Sequence, residues 1–233
     1  MAPQRPPRVA QLPMGQSNEA SAESPTRLQR RKSATRQSLL KAARSMLADG
    51  SAATASIQDI TEAADVGFGT FYNHFEDKAE LFEAAAEQVF EQWGEQLDKW
   101  EDPTADPADW VASSFRRSGR LLITHRQEAE LIARSGFRLL DSSIGLAPRA
   151  RRGLQRAKEA GRFTIDDVQL ALAKTAGQLF ALLHAWLHAP DTITVDQIDT
   201  AAEELLRMFG MTAAQARRLS HHKLEGAESL AFW

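Results

Sequence analysis

Between residues 56 and 78 the chain carries Ser56, Gln58, Thr70, Tyr72, Asn73, His74 and Lys78 at short intervals. A phenol, an imidazole and an ammonium each donate hydrogen bonds to phosphate oxygens, contacts that position a protein on a polyanion. The amides of Gln58 and Asn73 match the edge of adenine, and Phe68 can meet a thymine methyl. Thr70 suits either a base or a phosphate. Such a set could grip and read duplex DNA if one element presents it on one side.

The elements that must do so are legible around it. Ser56 is a good N-cap, and Asp59 three residues later completes an S-x-x-D capping box. Ile57, Ile60 and Ala64 make one side of this first short helix apolar. Asp65-Val66-Gly67 is a small corner, with glycine at the point where backbone freedom helps. The spacing predicts a second helix over 68–75, with Phe71 and Phe75 inward and Thr70, Tyr72, Asn73 and His74 outward. Asp77 with Glu80 reads as another capping box, and Lys78 as the mouth of the next helix. Two compact helices with an outward row of hydrogen-bonding groups suit insertion into a major groove.

Ile60-x-x-Ala63-Ala64-x-Val66-x-x-Gly69-Thr70-Phe71-Tyr72-x-His74-Phe75-x-x-Lys78 resembles the DNA-binding domain of TetR-family transcriptional regulators. The likeness spans Thr35 to about Phe82. It implies that Tyr72, His74 and Lys78 hold the phosphate backbone. Base reading then falls to Gln58, Phe68, Thr70 and Asn73, with Ser56 and Gly67 at the entries of the two short helices. Gly67-Phe68 departs from the polar residues common there, which bears on operator sequence rather than docking. Arg30, Arg31 and Lys32 are expected to add backbone or minor-groove contacts from an arm.

Charge agrees with a polyanion partner. Residues 1–48 hold nine cations and two anions, a net +7, while the remainder carries −10. A basic end on an acidic body is an electrostatic footprint. The chain has 233 residues, is 43% hydrophobic and contains no cysteine. A real core is therefore possible, while disulfides and cysteine-ligated metal sites are excluded. Apolar runs fall short of a membrane span, and no apolar stretch follows Met1. A soluble cytoplasmic protein without a cofactor is expected.

The whole chain reads as all-α. Residues 1–26 are expected as a disordered arm rich in Pro, Gln, Ser and Ala. A helix-turn-helix domain follows over 27–77, its first helix buried through Leu39, Leu40, Ala43, Met46 and Leu47 and ended by Asp49-Gly50. A helical regulatory and dimerisation domain is expected over 78–220, and a flexible tail over 221–233. Helix four should run to about Trp100, with Glu83, Glu87, Glu91, Glu95 and Asp98 outward. A helix over 128–140 precedes a basic helix bearing Arg149, Arg151, Arg152, Arg156 and Lys158. That helix suits a solvated face or a partner for acidic helix four better than a second DNA surface.

A long apolar helix is expected over 166–188, where Ala173, Gly177, Ala181 and Ala185 fall four apart. It and a helix over 194–209 suggest a four-helix interface with a second copy. By resemblance, the regulatory helices enclose a small-molecule cavity. Trp93, Trp110, Phe115, Phe137 and Phe180, with Gln178 and His184, are the expected lining. The resulting expectation is a homodimeric repressor that binds a palindromic operator and leaves it on binding a small, largely apolar effector. An activator of the same fold is the nearest alternative. A metal enzyme would have to use His184 and His188, four apart but without the glutamate of H-E-x-x-H.

Overall fold

The computed structural model describes residues 26–225 apart from residue 103. The arm expected over 1–25 and the tail beyond 225 lie outside the described residues. Among these residues there are ten α-helices and no strand. They are α1 (Arg27–Asp49), α2 (Ile57–Ala63), α3 (Phe68–Phe71), α4 (Lys78–Asp98) and α5 (Pro107–Thr124). α6 (Arg126–Ser135), α7 (Leu146–Glu159), α8 (Val168–His188), α9 (Val195–Met208) and α10 (Ala213–His221) follow.

Local chemistry sets most boundaries. Thr26 and Gln29 cap α1 reciprocally, and Gly50 ends it in a left-handed conformation, φ 82°. The Ser56–Asp59 box opens α2 as expected. At α4 the box is only half formed. Asp77 accepts from the Glu80 amide at 2.9 Å, whereas Glu80 reaches past Asp77 to the Glu76 amide at 2.6 Å.

α3 is shorter than its spacing suggests. It ends at Phe71, and residues 72–74 continue as a turn closed by the Phe75 amide on the Phe71 carbonyl at 3.1 Å. Phe71 and Phe75 stay buried, so the outward row survives the loss of regular helix. α4 ends at Asp98 rather than Trp100, whose ring lies 4.3 Å beneath the Arg117 guanidinium. The helix expected over 128–140 is two pieces. Gly136, φ 57°, stops α6, and a 3-10 turn spans Gly136–Asp141.

Three apolar clusters form the interior. One joins Leu39, Ala43, Ile60, Phe71, Phe75, Leu81 and Ala85 under the short helices. A second gathers Val89, Phe90, Trp93 and Leu97 of α4 with Leu122, Ile132, Leu183 and Trp186. A third is built by α5, α7, α8 and α9 around Trp110, Phe115, Leu154, Leu172, Leu205 and Leu206. α4 therefore has its first half in one core and its second half in another. α8 is 21 residues long, and an 18-residue window within it has a mean hydropathy of 1.2, enough by length and composition to cross a membrane, unlike the short runs expected. Only 22% of that stretch is buried. Leu170, Lys174, Ala181, His184 and His188 form its exposed side.

Residues 222 and 225, the last stretch of the described residues, are held by α5. Arg116 donates to the His222 carbonyl and Arg117 to the Glu225 carbonyl, each at 2.8 Å. Beneath them Asp199 accepts from both Arg116 and Arg120 at 2.8 Å, with side chains 10%, 1% and 16% exposed.

Candidate functional site

The corner between α2 and α3 presents the expected reading groups. Phe68 and Tyr72 are each 54% exposed, far more than aromatic residues with a core role. Their rings meet edge to face at 6.0 Å, and Tyr72 also leans on buried Phe71 at 5.4 Å. These contacts restrain two side chains that point at solvent, so a partner meets them already ordered. Asn73 and Gly67 are exposed beside them, and Thr70 is half-buried. Gln58 is exposed and donates to Glu62 at 2.8 Å, so its amide is engaged within α2.

The cationic side is built by three elements. Lys78 reaches back from α4 to donate to the Ala55 carbonyl at 3.1 Å, just before the Ser56 cap. An ammonium has three donors, so two remain for a phosphate. Ser56 is spent on Asp59, giving it a hydrogen bond at 2.7 Å and taking one from its amide at 3.1 Å. Its hydroxyl is a cap rather than a free donor. Arg30, Arg31 and Lys32 are exposed on the opening turns of α1, not on an arm. Lys32 and Arg36 lie near enough to His74 to act on it. Burial first, then these two cations, hold the His74 imidazole below its usual range. The free protein therefore favours the neutral imidazole.

A cavity of about 110 Å³ lies in the larger half, between α4, α5, α7 and α8. Of the residues named from the sequence, Trp93, Trp110, Phe115 and Phe180 line it. Phe137, Gln178 and His184 do not. Phe137 is 57% exposed and packs on the outer side of Phe180 at 5.1 Å, because the break at Gly136 turns it away from the interior. Gln178 faces α9 and donates to the Ala201 carbonyl at 2.8 Å. His184 sits on the exposed side of α8.

Sequence reasoning missed the polar groups that the cavity does use. Ser114, Ser118, Ser142 and Thr175 supply hydroxyls, and Arg149 is the one charged residue in the lining. The Trp110 indole nitrogen is buried with no hydrogen-bond partner among the described residues. Arg149 is gripped by α4. It donates to Asp98 at 2.6–2.9 Å and to Glu91 at 3.0 and 3.2 Å. The Asp98 and Glu91 carboxylates raise the guanidinium further above its usual value. In return, the hydrogen bond from Arg149 is the main cause holding Glu91 below the ordinary carboxylate range. Gly94 makes this possible, because a Cβ there would overlap the guanidinium. The signal was present: Glu91 and Asp98 are seven residues apart, one side of a helix, opposite a basic helix.

Comparison with known proteins agrees with both regions. Residues 39–92 match the family of bacterial regulatory proteins named for TetR, and residues 106–222 match a tetracycline-repressor-like C-terminal domain. No match was found among curated proteins. Among solved structures, RolR in complex with resorcinol is 35% identical at a TM-score of 0.66, covering 84% of this chain and 97% of that one. RolR without ligand gives 0.68 at the same 35% identity, over 81% and 97%. SmeT, the repressor of the Stenotrophomonas maltophilia multidrug efflux pump SmeDEF, is 20% identical at 0.60, over 75% and 89%, and so speaks to fold alone. A capped helix-turn-helix, an apolar cavity behind it and family matches to both halves together establish that this chain belongs to the TetR family of transcriptional regulators.

Proposed function

We propose that this protein is a homodimeric cytoplasmic repressor that binds a palindromic operator and releases it on binding a small hydroxylated aromatic molecule. The observation that carries the reading is the pair of exposed, mutually restrained rings of Phe68 and Tyr72 beside Asn73, on a corner with Lys78 behind it. The division into a reading head up to residue 77 and a regulatory body beyond it belongs to the same proposal. One short element reads too few base pairs, so two copies with heads about 34 Å apart are needed. The exposed side of α8, which carries Leu170 and Ala181, is the surface that a second copy would cover.

The effector class rests on two supports. The cavity is small and walled by aromatics, with hydroxyls and one guanidinium as its polar groups. The relative RolR, 35% identical, binds resorcinol. A phenolic oxygen accepting from Arg149 competes with Glu91 and Asp98 for the same donors. Such a ligand loosens the tie between α7 and α4 and favours a displaced α4. Its power is limited to its differential affinity for the two arrangements. Nothing in this mechanism calls for catalysis.

Selection of bound fragments from genomic DNA, followed by titration of resorcinol and related phenols, tests the proposal directly. Failure to dimerise, or indifference to every duplex at low salt, ends it. Within the selected site, Asn73→Ala is expected to lose about 1–3 kcal/mol of discrimination at one base pair in each half-site. Comparison of the selected-site profiles of both proteins checks this, and an unchanged profile removes Asn73 from base reading.

A pH effect follows from His74. The free protein favours its neutral form, because burial and the nearby Lys32 and Arg36 lower its pKa. A phosphate alongside favours the charged form, so binding takes up a proton. Operator affinity is expected to rise as pH falls from 7 toward 6, between the lowered free value and the higher bound one. His74→Gln should flatten that slope when binding is measured by fluorescence anisotropy at constant salt.

A further inference from the structure

Trp110 lines the cavity from α5 and is only 8% exposed. Its indole nitrogen is buried and has no acceptor among the described residues. An indole N–H is a donor only, so an oxygen inside the cavity is the partner left to it. A buried donor without an acceptor costs about 1–3 kcal/mol, and native structures rarely leave one so. The Cε3–Cζ3 edge of the ring abuts Gly153 of α7, where a Cβ would overlap it. The N–H lies on the opposite edge of the indole, turned away from Gly153. Ser114 and Ser118 follow one and two turns further along the same side of α5 and also line the cavity. α5 thus offers a polar stripe on a different wall from Arg149 of α7.

Arg149 itself offers an incoming ligand no surplus charge. It is matched by Asp98 and Glu91, and Arg152 acts on Glu91 from outside the lining. These two cations and two anions cancel. A carboxylate entering the cavity would lose its water without meeting an unmatched cation.

We propose that the Trp110 N–H donates to a second oxygen of the effector, so that the cavity selects uncharged arenes with two hydroxyls over monophenols and aromatic carboxylates. The inference rests on the phenolic reading of the effector and goes beyond it by naming the group that distinguishes one hydroxyl from two. One oxygen meets Arg149 and the other meets Trp110. Apolar walls alone discriminate poorly between phenol and resorcinol, whereas a buried donor left unanswered by phenol does so well.

The test is calorimetric titration of the full chain with resorcinol, phenol and meta-hydroxybenzoate. Resorcinol is expected to bind about tenfold more tightly than phenol, the size of one hydrogen bond. The benzoate, whose carboxylate replaces the second hydroxyl, should bind more weakly than either. Trp110→Phe should remove the tenfold preference, so that resorcinol and phenol bind alike. Space left by the smaller ring weakens both ligands together and leaves their ratio untouched. In the wild type, one indole N–H proton resonance should move downfield with resorcinol and hold its place with phenol, a readout that needs no variant. If neither phenol nor resorcinol binds, the effector reading falls and this inference with it. If both bind, three results overturn the inference alone. These are a ratio that Trp110→Phe preserves, indole resonances that resorcinol leaves in place, and a benzoate that binds as tightly as resorcinol.

Discussion

Asp199→Ala is expected to destabilise the protein by about 3–5 kcal/mol, the range for removing one partner from a buried ion pair. Asp199 is the carboxylate on which two arginines of α5 converge. Arg116 donates to it through Nε at 2.8 Å and Nη2 at 3.1 Å, and Arg120 through Nη2 at 2.8 Å to each oxygen. Arg116 Nη1 and Arg120 Nε are already buried without hydrogen-bond partners among the described residues. The alanine variant leaves two guanidinium groups facing one another with no counter-charge. Nearby Arg117 is already pushed below its usual value, by burial first and then by Arg116 and Arg120. Urea unfolding at fixed protein concentration measures the loss. The triple variant Asp199→Leu with Arg116→Met and Arg120→Met should recover much of it, because the carboxylate and both guanidinium groups leave together. A loss below 1 kcal/mol for Asp199→Ala would mean that water reaches the site.

The second large effect is expected at Lys78→Met. Loss of a charge-assisted hydrogen bond costs about 1.5–3 kcal/mol, and a dimer loses two, so operator affinity should fall by roughly 3–6 kcal/mol. The change should be uniform across sequences, since a phosphate contact carries no base information. The slope of log K against log salt should become shallower by about 2. Tyr72→Phe, which removes a donor without charge, should lower affinity while leaving the slope unchanged. Anisotropy titrations over a salt series separate the two. An unaltered slope for Lys78→Met would confine that lysine to its bond with the Ala55 carbonyl.

Much of the reading head was legible because its signals are local. Ser56, Asp59, Ile60, Phe71 and Phe75 act within a few residues of each other, and both caps and burial follow from their types. What went astray there was also local but finer. Glu80 had two amides within reach and took that of Glu76. The cavity was harder, since a helical repeat shows that a side chain is inward but not which neighbour it meets. Trp93 and Phe180 were found because large aromatics fill whichever space is central. Gln178 was misplaced because α9 offered it a carbonyl, and Phe137 because one glycine broke the helix before it. Arg149 and Arg116 escaped notice as cavity and core residues because arginine reads as surface. Their acidic partners stand 51 and 83 positions away along the chain.

The placement of α4 in two cores has a mechanical meaning. From Lys78 to Asp98 the helix rises about 30 Å, at about 1.5 Å per residue. Its far end is clamped by one guanidinium, and its near end is latched to the threshold of the reading corner. A rod of that length pivoting by about 5° at the clamp swings its other end by roughly 2.6 Å. Such a swing approaches the spacing of one base-pair step, about 3.4 Å. In the proposed release, a sub-ångström change at Arg149 would be geared up, by leverage alone, to a misfit that a rigid duplex would register.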